Sequence, residues 1–267
     1  IDGDASLRNI DHQDLLSSLK SLGVECSSEI EHDGLPFLLQ GPWKKFDLKV
    51  DASKSSQPYS SLLLATEGIE QPCIIERSSN FVSKRHAQLT IDLMAECGAV
   101  VEQDGTKVII QPWNSTPPKR WEVPADASMF AFTALSCIVA NREITVANLP
   151  AKEDSIGHEV LLDILPEIGL SLNQNNLAPS EMYSSVNINL VDANDLLPPL
   201  SAILALTGGG TISGAAHAMF KESNRIDKTA EMLHQFGIDC IIKKDGVTIK
   251  GNQSIQKPVS MIQTFGD

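Results

Sequence analysis

Cysteine, aromatic residues, positive charge and long apolar runs are all scarce in this chain. There are five cysteines in 267 residues (Cys26, Cys73, Cys97, Cys137 and Cys240). Their number is odd and no two stand at C-x-x-C spacing, which disfavours both a disulfide framework and a zinc centre. Each lies in an apolar run, so buried, reduced thiols in a cytoplasmic protein are expected. The six histidines (His12, His32, His86, His158, His217 and His234) show no ligand spacing, and no metal or other cofactor is expected. Basic residues number 21 against 34 acidic ones, a formal net charge of −13. The field of so acidic a chain repels polyanions and argues against nucleic-acid and anionic-membrane partners. A small anion can still bind where cations and helix ends converge locally. The longest apolar stretches, such as 62–65 and 203–206, are too short to cross a bilayer, and no basic-then-apolar leader opens the chain.

What the chain does have is repetition. Four times a helix-period apolar segment ends in glycine and runs into a β-like stretch: Leu15–Gly23, Leu89–Gly98, Leu161–Gly169 and Met232–Gly237. The glycines recur roughly 70 residues apart, each placed to be the left-handed residue that stops a helix. Three copies carry Asp-Gly in the following turn (Asp33-Gly34, Asp104-Gly105 and Asp245-Gly246), a hairpin signal. Between the copies lie small, apolar helices at 58–65, 128–139 and 196–206, each followed by a short β-like run. The unit reads helix, strand, helix, strand, strand, too long for a solenoid and suited to compact α/β domains. The loop-like stretch 112–124, centred on Asn114-Ser115-Thr116-Pro117-Pro118, is the best linker and puts the domain boundary near Val123. A polar stretch, 173–185, reads as a surface loop, and Gly208-Gly209-Gly210, with no Gly-Lys-Ser/Thr after it, as a flexible turn rather than a phosphate loop.

The chemically informative residues sit at helix starts. In Lys221-Glu222-Ser223-Asn224-Arg225 the apolar residues that follow start the helix near Ser223, a good N-cap. Lys221 and Arg225 then crowd a helix N-terminus, where the macrodipole disfavours cations unless an anion lies between them. For this segment alone a solvated charged cap is the better reading. The arrangement recurs, however. Ser55-Ser56-Gln57 precedes Pro58, suited to a first helical position. Ser83-Lys84-Arg85-His86 lies ahead of the 89–97 helix, and Asp195 opens the next. Hydroxyl-rich and cationic starts on repeated units point to one site for a polyanionic ligand.

Taken in order, Ser55-Ser56-Gln57, Val82-Ser83-Lys84, Asp126-Ala127-Ser128, Asp195 before an apolar helix, and Ala216-His217 with Lys221-Glu222-Ser223-Asn224-Arg225 resemble the 5-enolpyruvylshikimate-3-phosphate synthase family (3-phosphoshikimate 1-carboxyvinyltransferases). Gly3-Asp4-Ala5-Ser6-Leu7-Arg8 and Phe265-Gly266-Asp267 are similar to further landmarks of that family, so the resemblance spans nearly the whole chain. It implies an α/β (α+β) fold of two globular domains built from repeated βαβαββ units, here incomplete at both ends, with residues 1–123 in the first and 124–267 in the second. It also implies a metal-free reaction: phosphoenolpyruvate gives its enolpyruvyl group to the 5-hydroxyl of shikimate 3-phosphate, releasing phosphate, on the shikimate route to chorismate and aromatic amino acids. On this resemblance Ser55, Ser56, Gln57, Ser83 and Lys221 hold shikimate 3-phosphate, and Asp195 orients or deprotonates its attacking hydroxyl. Glu222 serves in proton transfer, Arg225 grips phosphoenolpyruvate, Gln57 touches both ligands, and His217 matches a substrate contact only loosely. A cytoplasmic monomer is expected.

The chain departs from the family pattern in places. Ile10 stands where the family usually carries an arginine for phosphoenolpyruvate, Asn224 replaces an aspartate, and Arg85-His86 replaces Pro-Tyr. An N-terminal Lys-Ser segment, an Asn-Ala-Gly-Thr loop and the His-Arg after Phe-Gly-Asp are missing, so the chain reads as a fragment expected to turn over little by itself. The alternative is a divergent, non-catalytic or differently specific relative that keeps the anion-binding scaffold.

Overall fold

The four repeat glycines end their helical segments with one hydrogen-bonded motif in the computed structural model, which describes residues 1–8, 10–28, 35–221 and 223–263. The amides of Gly23, Gly98, Gly169 and Gly237 donate to the carbonyls of Lys20, Ala95, Pro166 and His234. The next amides, of Val24, Ala99, Leu170 and Ile238, reach back to Leu19, Met94, Leu165 and Leu233. This is the Schellman stop, and it needs a left-handed residue at the glycine; the four φ values run from 73° to 99°. The repeat seen in the letters is thus a repeat of backbone hydrogen bonds.

The chain divides into two compact units, Ile1–Trp121 and Glu122–Asp267. The first opens with α1 (Ala5–Arg8) and α2 (Gln13–Ser21), then an antiparallel pair of β1 (Glu25–Ser28) and β2 (Phe37–Gln40) with Glu25 opposite Gln40. It continues as β3 (Asp47–Val50), α3 (Gln57–Leu64), β4 (Cys73–Arg77), α4 (Lys84–Glu96), β5 (Val101–Asp104) and β6 (Lys107–Ile110). The second unit runs α5 (Ala127–Ala140), β7 (Ile144–Thr145), α6 (Glu159–Ile164), β8 (Ile168–Asn173), β9 (Asn176–Tyr183) and β10 (Val186–Asn189). It ends with α7 (Leu197–Leu206), β11 (Gly209–Ser213), α8 (Arg225–Gln235), β12 (Cys240–Lys243) and β13 (Gly246–Lys250).

Two complete βαβαββ units emerge, and their sheets share one topology. Strand order is β3-β4-β6-β5 in the first and β10-β11-β13-β12 in the second. In each, the first two strands are parallel and the last two form an antiparallel hairpin beside them. The parallel pair requires a crossover, which α3 and α7 supply. Alternation along β3 (Leu48 and Val50 inward) and β6 (Val108 and Ile110 inward) aims one sheet face at Leu62 and Leu63 of α3 and Ile91 and Met94 of α4. In the second unit Ile188, Ile212, Val247 and Ile249 meet Leu200, Ile203 and Leu204 of α7. Each fully buried leucine there contributes about 1.5–3 kcal/mol of hydrophobic stabilisation.

Several local expectations need correcting. Gly208–Gly210 is not a flexible turn. Gly209 and Gly210 open β11, and a Cβ on Gly210 would lie 2.0 Å from the Val186 carbonyl oxygen; the glycines are there because neighbouring backbone leaves no room. The stretch 173–185 is mostly strand β9, joined to β8 by Gln174-Asn175; of its residues only Leu177 is buried, so no apolar alternation marks the strand in the letters. The Asp-Gly pairs sit differently in their turns. Gly105-Thr106 forms the loop of one hairpin and Lys244-Asp245 that of the other, with Gly246 already in β13. The pair Asp33-Gly34 falls outside the described residues. Only Cys73 and Cys137 are buried; Cys26, Cys97 and Cys240 are half-buried, on segments with one open side, and all five are free thiols. Among the described residues no helix is long and apolar enough to cross a membrane.

Candidate active site

Each described candidate side chain lies beyond the C-terminal end of a parallel strand pair, where open α/β sheets place ligands because loop amides and helix N-termini gather there. In the first unit, residues 51–56 lead from β3 into α3 and residues 78–83 lead from β4 into α4. The two loops are tied together: the Ala52 amide donates to the Ser78 hydroxyl at 3.1 Å, and the Val82 amide to the Ala52 carbonyl at 3.2 Å.

Ser56 and Ser83 are the N-cap residues of α3 and α4, both buried, yet neither hydroxyl caps its helix. The usual use of an N-cap serine, to satisfy an orphan helix amide, is therefore not theirs. Ser83 also sits in the left-handed region, φ 50° and ψ 46°. That conformation costs a non-glycine residue about 1–2 kcal/mol, strain of the kind that gathers at ligand loops. Ser55 accepts from the Gln57 amide at 3.2 Å, and Gln57 is exposed at the first helical position with Pro58 second. Lys84, Arg85 and His86 form the first turn of α4 rather than preceding it, because the helix starts well before its first apolar residue.

The second unit holds a charged network. After β10 a 3-10 turn, Asn194–Leu196, leads into α7, and after β11 a second one, Ala216–Phe220, precedes α8. Asp195 is partly exposed and pairs with the Nη1 of Arg225, the first residue of α8. The same Nη1 donates to the Asn194 side-chain oxygen at 3.3 Å, and the Asn194 amide nitrogen lies 3.0 Å from Nε2 of His217. Nε2 of His158 approaches the other Asp195 oxygen at 3.9 Å, its ring held by a 2.9 Å contact between Nδ1 and the Ile156 carbonyl. Burial and then the nearby Lys221 push the pKa of His217 below its ordinary value of 6.5, with Asp192 and Asp195 working the other way. The ring is therefore neutral at physiological pH.

The structure thus joins Asp195 and Arg225 directly and places Lys221 close enough to His217 to bear on its charge. Glu222 lies outside the described residues. The cap of α8 is Asn224, not Ser223: its side-chain oxygen accepts from the Asp227 amide at 3.3 Å. Asp126 caps α5, its side chain accepting from the Ser128 and Met129 amides at 2.8 and 3.4 Å. Asn194 and His158 were not singled out in the sequence. Both are buried partners of residues far along the chain, and such pairing leaves no periodic signal.

Beside this network a groove of about 630 Å³ runs between α5, α7 and α8. Helix starts supply Ser128, Asp195, Ser223 and Arg225 to its polar lining, beside Lys228, Thr229 and Gln263, and its apolar lining includes Phe132, Val139, Ala202, Leu206, Met232 and Phe236. Among the described residues no cluster of His, Cys, Asp or Glu could hold a metal ion.

Repeated βαβαββ units with anion-suited helix starts define the enolpyruvyl-transferase fold. A solved structure of EPSP synthase from Acinetobacter baumannii matches 95% of this chain and 59% of its own, with a TM-score of 0.68 at 21% identity. The profile of the family EPSP synthase (3-phosphoshikimate 1-carboxyvinyltransferase) matches residues 1–267, and the chain belongs to that family. Curated relatives named 3-phosphoshikimate 1-carboxyvinyltransferase include one from Methanothermobacter thermautotrophicus, 30% identical over 260 residues, and one from Methanosphaera stadtmanae, 29% identical over 260. Each match takes in 94% of this chain, which spans 61% of the length of either relative.

Proposed function

We propose that the whole protein carrying this chain transfers the enolpyruvyl group of phosphoenolpyruvate to the 5-hydroxyl of shikimate 3-phosphate, as a cytoplasmic monomer on the route to chorismate. In this reading Ser55, Ser56, Gln57 and Ser83 bind shikimate 3-phosphate, the serines chiefly its phosphate. The hydroxyls of Ser56 and Ser83 are suited to this because neither is used as a helix cap. Lys221 adds a cation to the same substrate. Arg225 grips phosphoenolpyruvate with a planar fork steadied by Asp195 and Asn194; Gln57 reaches both ligands.

The chemistry needs a proton delivered to the methylene carbon of the enol and a base for the attacking hydroxyl. The hydroxyl oxygen bonds to the cationic carbon that results, giving a tetrahedral intermediate. Loss of a methyl proton and of phosphate then restores the double bond in the product. Glu222 and Asp195 are the two carboxylates for these transfers. The observation that carries the reading is the Asp195–Arg225 pair at the starts of α7 and α8: a proton acceptor and an anion-binding fork held side by side.

The test is phosphate release by the whole protein from phosphoenolpyruvate plus shikimate 3-phosphate. Arg225→Ala and Glu222→Gln are expected to lower turnover about 10²–10³-fold with circular dichroism unchanged, the scale of a lost electrostatic contact in a transition state. Ordinary activity in both variants would refute the site. If the unaltered protein binds both ligands and releases no phosphate, it is instead a binding relative. Ile10 and the engagement of Arg8 with Asp2 at 2.9 Å are the features that favour that second reading.

A further inference from the structure

The orientation of the Asn194 side chain is dictated by its neighbours. The Arg225 guanidinium has only donors, so the Asn194 oxygen must face it, at 3.3 Å. The Asn194 amide group then faces His217, 3.0 Å from Nε2. That amide donates, so Nε2 must accept, and the ring carries its proton on Nδ1. Asn194 and His217 are 3% and 4% exposed, so water cannot readily replace either bond.

We propose that the buried His217–Asn194 pair is a proton-sensitive latch that positions Arg225, and so regulates the site; its bearing on phosphoenolpyruvate rests on the function proposed above. Protonating His217 puts an N–H on Nε2 and sets two donors face to face. Turning the Asn194 amide over relieves that clash but points its donors at Arg225. In either orientation one of the two hydrogen bonds is lost, and with it the bracing that Asn194 gives Arg225 beside Asp195.

The charged groups facing His217 are Lys221 beyond its own 3-10 turn, Asp192 and Asp195 from the β10–α7 connection, and Arg225 of α8 through Asn194. Burial and Lys221 outweigh the two carboxylates and keep the ring neutral to below pH 6.5. For a base whose folded pKa is depressed, the unfolded chain binds more protons between the two values. The latch is therefore fully closed above about pH 6.5 and opens as the pH falls through the lower, folded value.

Nitrogen-15 NMR of the whole protein carrying this chain tests this without substrate. At pH 7 the His217 resonances should show the tautomer protonated on Nδ1; a ring protonated on Nε2 overturns the latch in the unmodified protein. Exchange of the Arg225 guanidinium protons with water is then compared between the chain and His217→Gln at matched pH. Glutamine can still accept from Asn194 but does not titrate. As the pH is lowered through the His217 titration followed in those same spectra, the unmodified protein should lose protection at least about tenfold more than the variant, the scale of a lost hydrogen bond to a charged group. Equal pH dependence overturns the proposal. A pH-dependent loss as expected, in a whole protein that never binds phosphoenolpyruvate, leaves the latch standing and refutes the proposed function.

Discussion

The βαβαββ unit at 47–110 and the one at 186–250 share a sheet order, a strand register pattern and a pair of helix starts at the same strand ends, yet they furnish those starts with different chemistry. Even the turns correspond. The Arg77 amide donates to the Thr106 carbonyl in the first, and the Ala215 amide to the Asp245 carbonyl in the second. On this common frame the first unit presents buried hydroxyls, Ser56 and Ser83, and one strained left-handed residue. The second presents an ion pair, Asp195–Arg225, braced from behind by Asn194 and His217. Hydroxyls suit an anion that must be oriented by hydrogen bonds. A buttressed guanidinium suits one whose charge must be gripped, with a carboxylate at hand to move a proton. The lesson is that the repeat supplies a location, and the few residues after each strand decide what the location does.

The comparison can be broken first at its shared frame. Gly210→Ala would drive a Cβ to within 2.0 Å of the Val186 oxygen and should cost the second unit about 3 kcal/mol or more. Gly105→Ala meets nothing within 4 Å and suffers only from a φ of 58°, so the first unit should lose about 1 kcal/mol. Denaturant unfolding of both variants checks the order. Comparable losses would mean that the close strand contact in the second unit is not what its glycines serve.

Smaller effects sharpen the contrast. Asp126→Ala removes the cap of α5 and should cost about 1 kcal/mol at pH 7. Burial works to raise the Asp126 pKa but is outweighed by the Ser128 hydroxyl and the Ser128 and Met129 amides, which hold it below 3.8. Its contribution is thus present above pH 3.8 and lost as the pH falls through the folded value. Unfolding curves of parent and variant should converge in acid. Ser83→Gly should have the smallest effect on stability and with opposite sign, a gain of at most about 1 kcal/mol from relief of the left-handed strain. The same change should weaken shikimate 3-phosphate binding, a trade that calorimetry would show if Ser83 is kept for a ligand.

Much of this was legible in the letters, and the reasons are local. Helix stops at Gly23, Gly98, Gly169 and Gly237 are decided by a few neighbouring residues, so composition and spacing suffice. Hairpins could be found but not registered, because Asp-Gly fits a turn in more than one frame. Gly208–Gly210 misled because glycine signals both freedom and lack of room, and only the neighbouring backbone of Val186 and Gly251 distinguishes them. Strand β9 leaves no alternation to read because only Leu177 along it is buried. The His217–Asn194 bond joins residues 23 apart through a buried contact, and nothing in either segment announces the other.

The account stands on ligand capture at the C-terminal ends of the parallel strands, and amide chemical shifts of the whole protein titrated with shikimate 3-phosphate test that most directly. The expected result is movement at residues 55–58 and 83–86, with affinity weakened at least about tenfold in Ser56→Ala, the scale of a hydrogen bond to a charged group. Unmoved amides there, with shifts confined to the opposite ends of the same strands near Asp47 and Cys73, would contradict it.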